Sequence, residues 1–324
     1  MRYKSIFRFR DRDGKGVSKN EDTRPTLKNF FKQFFRKFSH LLSLNILMLF
    51  QIAPIVIAVI AFLTTPMTPS QTSPIFAPLH GVSLIDPNAT AHLTVALDAI
   101  PLNIPVFQPA AYWVIGACAV FLIVTIGWQS VGSFYVLRGL VRGDAVFVFS
   151  DYFYGIKRNL KQGFLFGLID SLIIISLTFD VVYYSQIVGA FWMDVMFWIL
   201  AAIAVLYTIM RPYIYMMLIT FDMKIRKMFK NALIFSALGI KRNVMAMLGV
   251  VLLVLFHVFL MIMFMPEGII TLIFPLLYAF AAIGFMTAYA IYPVIDRYMI
   301  APYRKDESEE ANEKSNIQNQ GETV

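Results

Sequence analysis

GIKRNLKQGFLFGLIDSLIIISLTF (155–179) decides how the rest of the chain is read. A basic pentapeptide leads directly into an apolar run too long for the core of a soluble domain, and the run is interrupted by one acid, Asp170. The pentapeptide returns unchanged at 239–243, followed by VMAMLGVVLLVLFHVFLMIMFM. Runs of more than about 18 apolar residues read as membrane-spanning helices, because hydrocarbon leaves backbone polar groups no partner outside the segment.

Working outward, six such spans emerge: approximately 41–63, 110–137, 164–188, 191–218, 244–265 and 268–294. Composition agrees, with 58% hydrophobic and 15% charged residues, against roughly 25% charged in an ordinary soluble domain. The third and fourth spans nearly touch at Gly189, and the last two at Pro266-Glu267, so both pairs read as helical hairpins.

The basic residues assign the sides. Residues 1–40 hold 12 Lys and Arg, 138–163 hold five, 211–243 hold seven and the tail from Arg297 holds four. Those are all 28 in the chain, and every one falls on the same side of the alternating spans. Short basic loops mark the cytoplasmic face, so both termini are expected in the cytoplasm. The net charge of +8 is then accounted for by topology and anionic headgroups. No nucleic-acid-binding signature accompanies it.

Segments between the spans carry helical periodicity. In 26–40, Leu27, Phe30, Phe31, Phe34, Phe35 and Phe38 share one face and Lys28, Lys32, Arg36 and Lys37 the other. A second sided segment covers 150–162, where Ser150 or Asp151 can cap the start, with Phe149, Tyr152, Phe153, Ile156 and Leu160 as its stripe. A third covers 222–243, with Ile225, Met228, Phe229 and Ala232. Each reads as a cytoplasmic helix lying in the membrane interface. The expected fold is all-α: six transmembrane helices in three hairpins, each hairpin preceded by such a helix. GIKRN is expected as the link in two of the three units, its glycine permitting the bend. Lys157, Arg158, Lys241 and Arg242 are the expected contacts to the membrane interface.

The expected organisation is a disordered cytoplasmic N-terminus (1–25), a six-span domain (26–297) and a disordered acidic tail (298–324). The outer loop 64–110 carries eight prolines and no Lys or Arg.

Familiar chemistry is missing from the sequence. A single cysteine, Cys118, excludes a disulfide within the chain. The four histidines lack metal-site spacing, and no phosphate loop, dinucleotide fingerprint or nucleophile elbow stands anywhere. No enzyme activity, metal or cofactor is expected. The remaining clue is polar. Asp170, Asp180, Asp194 and Arg211 lie within or at the edges of the third and fourth spans, where a charge costs roughly 2.5–3.5 kcal/mol to insert. Asp180 and Asp194 fit the outer boundary. Asp170 stands 19 residues before the turn at Gly189 and Arg211 22 after it, so the two come level. Either they pair, or Arg211 reaches toward lipid phosphates while Asp170 faces a wet cavity. Gly163 and Gly167 allow close helix packing at the foot of the third span.

Several stretches carry a family resemblance: GVSKNE (16–21), RKFSHLLSLNILML (36–49), FYVLRGLVRGDAVFVFSDYFYGIKRNLKQG (134–163) and FGLID (166–170). Together they resemble the YesL-like family of bacterial integral membrane proteins over most of residues 16–300. Where that family often shows a Gly-Pro-Ala-like stretch, this chain has Gly127-Trp128-Gln129-Ser130. The resemblance implies a bacterial plasma-membrane protein with no established activity, tied to carbohydrate uptake as an accessory or regulatory component. The implied partner is a sugar ABC transporter or another membrane protein. The alternative is a transporter or permease for a small solute. Against it, NALIFSA (231–237) lacks the acid and the glycine of an ABC coupling loop, and four of the six spans hold no charge.

Overall fold

The computed structural model describes residues 24–64, 109–186, 191–264 and 268–302, all of them helix or the short connections between helices. The first unit is α1 (Leu27–Arg36), α2 (Phe38–Leu63) and α3 (Pro109–Arg142). The second is α4 (Val148–Arg158), α5 (Leu160–Ser185) and α6 (Phe191–Thr220). The third is α7 (Ile225–Leu238), α8 (Ile240–Met263) and α9 (Gly268–Ile295), which continues through a π-turn (Asp296–Ile300). Six of these helices are long and apolar enough to cross a membrane, and the chain is a multi-pass membrane protein. Of the expected terminal segments and outer loop only 24–25, 64, 109–110 and 298–302 are among the described residues; α3 starts inside the expected loop, and helix runs on through 302, into the stretch expected as tail.

Each unit opens with a short helix separated from its span by a single residue: Lys37, Asn159 or Gly239. The first helix is therefore shorter than 26–40. It starts at Thr26, whose Oγ1 accepts from Asn29 N at 3.3 Å, and ends at Arg36. Its aromatic face is shared. Phe30 and Phe34 pack on Phe285 of α9, while Phe31 and Phe35 face outward. The second short helix starts earlier than Ser150, with Phe147 at its N-cap. Asp151 sits inside the first turn and its Oδ2 accepts from Phe147 N at 2.8 Å.

The two copies of GIKRN do not occupy equivalent places. In the first, Gly155 to Arg158 belong to α4 and the break falls after them, at Asn159. In the second, the break is Gly239 itself, and Ile240 already begins α8. The words are displaced by one helical turn because their glycines meet different neighbours. A Cβ on Gly155 would strike Tyr135 Cβ at 2.7 Å and the edge of its ring at 2.8 Å. A Cβ on Gly239 would strike the Tyr213 hydroxyl and, at 2.9 Å, the Phe235 carbonyl oxygen. So Gly155 serves close packing within a helix rather than a bend, which corrects the expectation for the first copy.

The second spans of the three units, α3, α6 and α9, touch one another at the centre. Around them α2 packs on α3 and α9, α5 on α3 and α6, and α8 on α9. Cross-links gather the basic ends at one level: Lys37 Nζ donates to Asp144 O at 3.4 Å, Arg138 Nη1 to Ile219 O at 3.0 Å, and Tyr289 OH to Thr26 O at 3.1 Å. The packed core lies at this end, around Leu41, Leu137, Phe166, Tyr215 and Phe285. The opposite halves leave Leu63, Trp113, Phe179 and Trp192 exposed. Lipid tails solvate such side chains as well as protein does, so apolar surface alone does not draw helices together there. Polar bonds add direction where the helices do meet. Asn45 of α2 donates to Leu276 O at 2.5 Å and accepts from Ala281 N at 3.0 Å, bracketing α9.

Candidate functional site

The site begins with glycine. Gly163 and Gly167 stand one turn apart on α5 and meet Gly127 of α3 so closely that a Cβ on Gly167 would lie 2.7 Å from Gly127 N. Three hydrogens in place of three side chains let the backbones touch. One turn above, Ser171 Oγ donates to Gly167 O at 2.8 Å, and Asp170 turns toward α6.

Asp170 is fully buried. Arg211 Nε lies 2.9 and 2.8 Å from its two carboxylate oxygens. Tyr207 OH donates to Oδ1 at 2.7 Å and Tyr215 OH to Oδ2 at 2.6 Å. Arg211 Nη2 reaches Ser130 Oγ of α3 at 3.4 Å, so the cluster ties three helices together. Its orientation is fixed by aromatic packing. The Tyr215 ring stacks on Phe134 at 5.9 Å and meets Phe166 edge-on at 4.8 Å, and the Arg211 guanidinium lies 5.3 Å from its centroid.

The structure thus brings Asp170 and Arg211 together and leaves Asp180 out. Asp180 is half-buried, ten residues along α5, or about 15 Å at the helical rise. Asp194 is exposed at the start of α6. Tyr207 and Tyr215 were not among the sequence candidates. The signal available was their spacing: four residues before and four after Arg211, hence on the same face of α6. Ser130 and Gly127 belong to the GWQS stretch, and its other two residues also bond. Trp128 Nε1 donates to Leu160 O at 3.0 Å; Gln129 donates to Met48 O at 3.1 Å and accepts from Tyr152 OH at 2.9 Å.

Chemically the cluster is a closed clamp. One negative and one positive group neutralise each other, and both carboxylate oxygens are saturated by donors. Among the described residues no three His, Cys, Asp or Glu side chains gather as a metal site would require. Lys157, Arg158 and Lys241 are exposed and Arg242 is half-buried, all at the basic end.

Residues 109–181 match the model of a family described as a protein of unknown function, DUF624. The match spans α3, α4 and most of α5, and so contains the three glycines, Ser130 and Asp170. Arg211 and the two tyrosines lie beyond it. No curated protein and no solved structure matches the chain.

Proposed function

We propose that this protein is an accessory or regulatory component of a bacterial plasma membrane, linked to carbohydrate uptake, that acts on another membrane protein rather than by catalysis or by conducting a solute through its own bundle. The observation that supports this reading is the closure of the polar cluster. A carrier leaves polar groups free near the membrane midplane to bind and release its cargo. Here Asp170 is saturated by Arg211, Tyr207 and Tyr215, and Arg211 leans on Ser130. The arrangement holds α3, α5 and α6 in register. The distribution of Lys and Arg supports cytoplasmic termini, and the YesL-like resemblance supports the carbohydrate link.

Reconstitution tests it. The purified protein in liposomes should take up no labelled mono- or oligosaccharide. Added to liposomes with a sugar ABC transporter from the same membrane, it should change that transporter's rate or its stability. Saturable uptake by the protein alone would overturn the reading and favour a permease.

A further inference from the structure

At the basic end a cleft of about 600 Å³ opens between the α4–α5 junction and the foot of α6. One wall runs from the first GIKRN copy into the foot of α5, with Lys157, Arg158 and Lys161. The other is the end of α6 and the link behind it, residues 218–222, with Asp222 the single acid in the lining. The walls are tied: Gln162 Nε2 donates to Met223 O at 2.6 Å across the cleft. Arg138 holds the α6 side from behind through Ile219 O at 3.0 Å and Thr220 Oγ1 at 3.1 Å. None of Lys157, Arg158 and Lys161 forms an ion pair with a described residue. Asn159 turns its side chain back to Gly155 O at 2.9 Å and does not cap α5.

We infer that this cleft binds the phosphate of an anionic phospholipid headgroup. Two independent features converge on it: an open concave volume between two walls, and three cations on its rim against one acid. The level selects lipid over a soluble phosphate. The cleft lies at the feet of two membrane-spanning helices, and of its apolar lining residues Leu160 is exposed and Phe221 half-buried beside the charges, while Leu218 and Ile219 belong to the core behind them. A phosphate bound by the lysines and arginine would place its glycerol and acyl chains along that apolar side. Basic pockets between spans at the cytoplasmic face have the composition for such headgroups.

The chain supplies its own control. Lys241 and Arg242 are the same letters in the same pentapeptide, but they belong to the third unit and do not line the cleft. The test is native mass spectrometry and thermal unfolding of the purified full-length protein with added phosphatidylglycerol, phosphatidylcholine or inorganic phosphate. Phosphatidylglycerol should bind and raise the unfolding temperature, and the other two should not. Lys157→Gln with Arg158→Gln should weaken phosphatidylglycerol binding tenfold or more, from about a fivefold loss per basic residue at a membrane surface. Lys241→Gln with Arg242→Gln should leave it within about twofold, and Asp222→Asn should tighten it. Both substituted pairs are on or near the surface, and Arg158→Gln alone serves if the double variant loses its monodisperse profile. Equal losses in the two doubles would mean diffuse surface charge and overturn the site. Stabilisation by inorganic phosphate as strong as by phosphatidylglycerol would overturn the lipid assignment, and no preference over phosphatidylcholine would overturn both.

Discussion

Replacing Asp170 by Asn keeps the shape of the side chain but turns one of its two acceptor oxygens into an NH2 donor, so that one of the Tyr207 and Tyr215 hydroxyls must turn to accept, and it removes the counter-charge of Arg211. Breaking a buried pair by deleting one partner costs about 3–5 kcal/mol, because the survivor is left uncompensated. Arg211 cannot shed its proton, yet its side chain is 30% exposed and can draw some hydration. The cost of Asp170→Asn is therefore expected at the lower end, about 3 kcal/mol. Arg211→Met is expected to be milder, about 2 kcal/mol: the carboxylate keeps its two tyrosine donors. With both replaced no charge is stranded, and the double variant should also lose only about 2 kcal/mol. The coupling is then about 3 kcal/mol, the top of the range for residues in contact. Reversible unfolding of the four proteins in mixed micelles measures this cycle. Additive losses, with the double variant worse than either single one, would refute the clamp. So would an Asp170→Asn protein as stable as the parent.

Gly167→Ala, whose new methyl would press on the Gly127 backbone, should cost about 1–3 kcal/mol, while Gly116→Ala, with nothing within 4 Å, should cost nothing; folded yield in membranes separates them. Phe31→Glu with Phe35→Glu should lift α1 from the interface, as read by fluorescence depth quenching, without changing unfolding in detergent; Phe30→Ala, which empties the contact with Phe285, should cost about 3 kcal/mol. Asn45→Leu removes two bonds to the α9 backbone and should cost about 1–2 kcal/mol in thermal unfolding. Topology reporters at residues 20 and 320 should read cytoplasmic and one at Ala89 should read outside; a cytoplasmic signal at Ala89 would remove the six-span topology.

How much of this could be read beforehand depended on the range of the cause. The spans and the levels of Asp170 and Arg211 followed from local apolarity and from counting outward from Gly189 in the sequence, and the observed 2.8 Å contact sits where the counting put the two residues. The tyrosines were legible in principle but hidden, because tyrosine in an apolar span is usually packing. Gly127 could not be matched to Gly167 from sequence, since nothing local sets the register between α3 and α5. The cleft was invisible for the same reason: its walls are some 60 residues apart in the chain and are joined by Gln162 and Met223. The GIKRN repeat misled most plainly. Identical letters invite identical structure, but the break in each unit is placed by tertiary neighbours. In the third unit those are the Tyr213 hydroxyl against Gly239 and its bond to Asn243 Oδ1 at 2.9 Å.

That the packed core occupies only one half of the bundle has a consequence for biogenesis. The most apolar spans are the least enclosed by protein: none of the central window of α8 is buried, and little of α2's. By contrast, α9 is the span most enclosed by protein, and it carries Pro275 and Pro293. Entry into the bilayer and assembly within it therefore call on different residues. α8 can partition by itself and leaves most of its surface to lipid, whereas α9 is held by what it meets in the bundle, the Asn45 bracket and the aromatic face of α1. A lesion in α9 should thus show as a failure to assemble after insertion, and a substitution of one apolar residue by another on the exposed face of α8 as almost nothing.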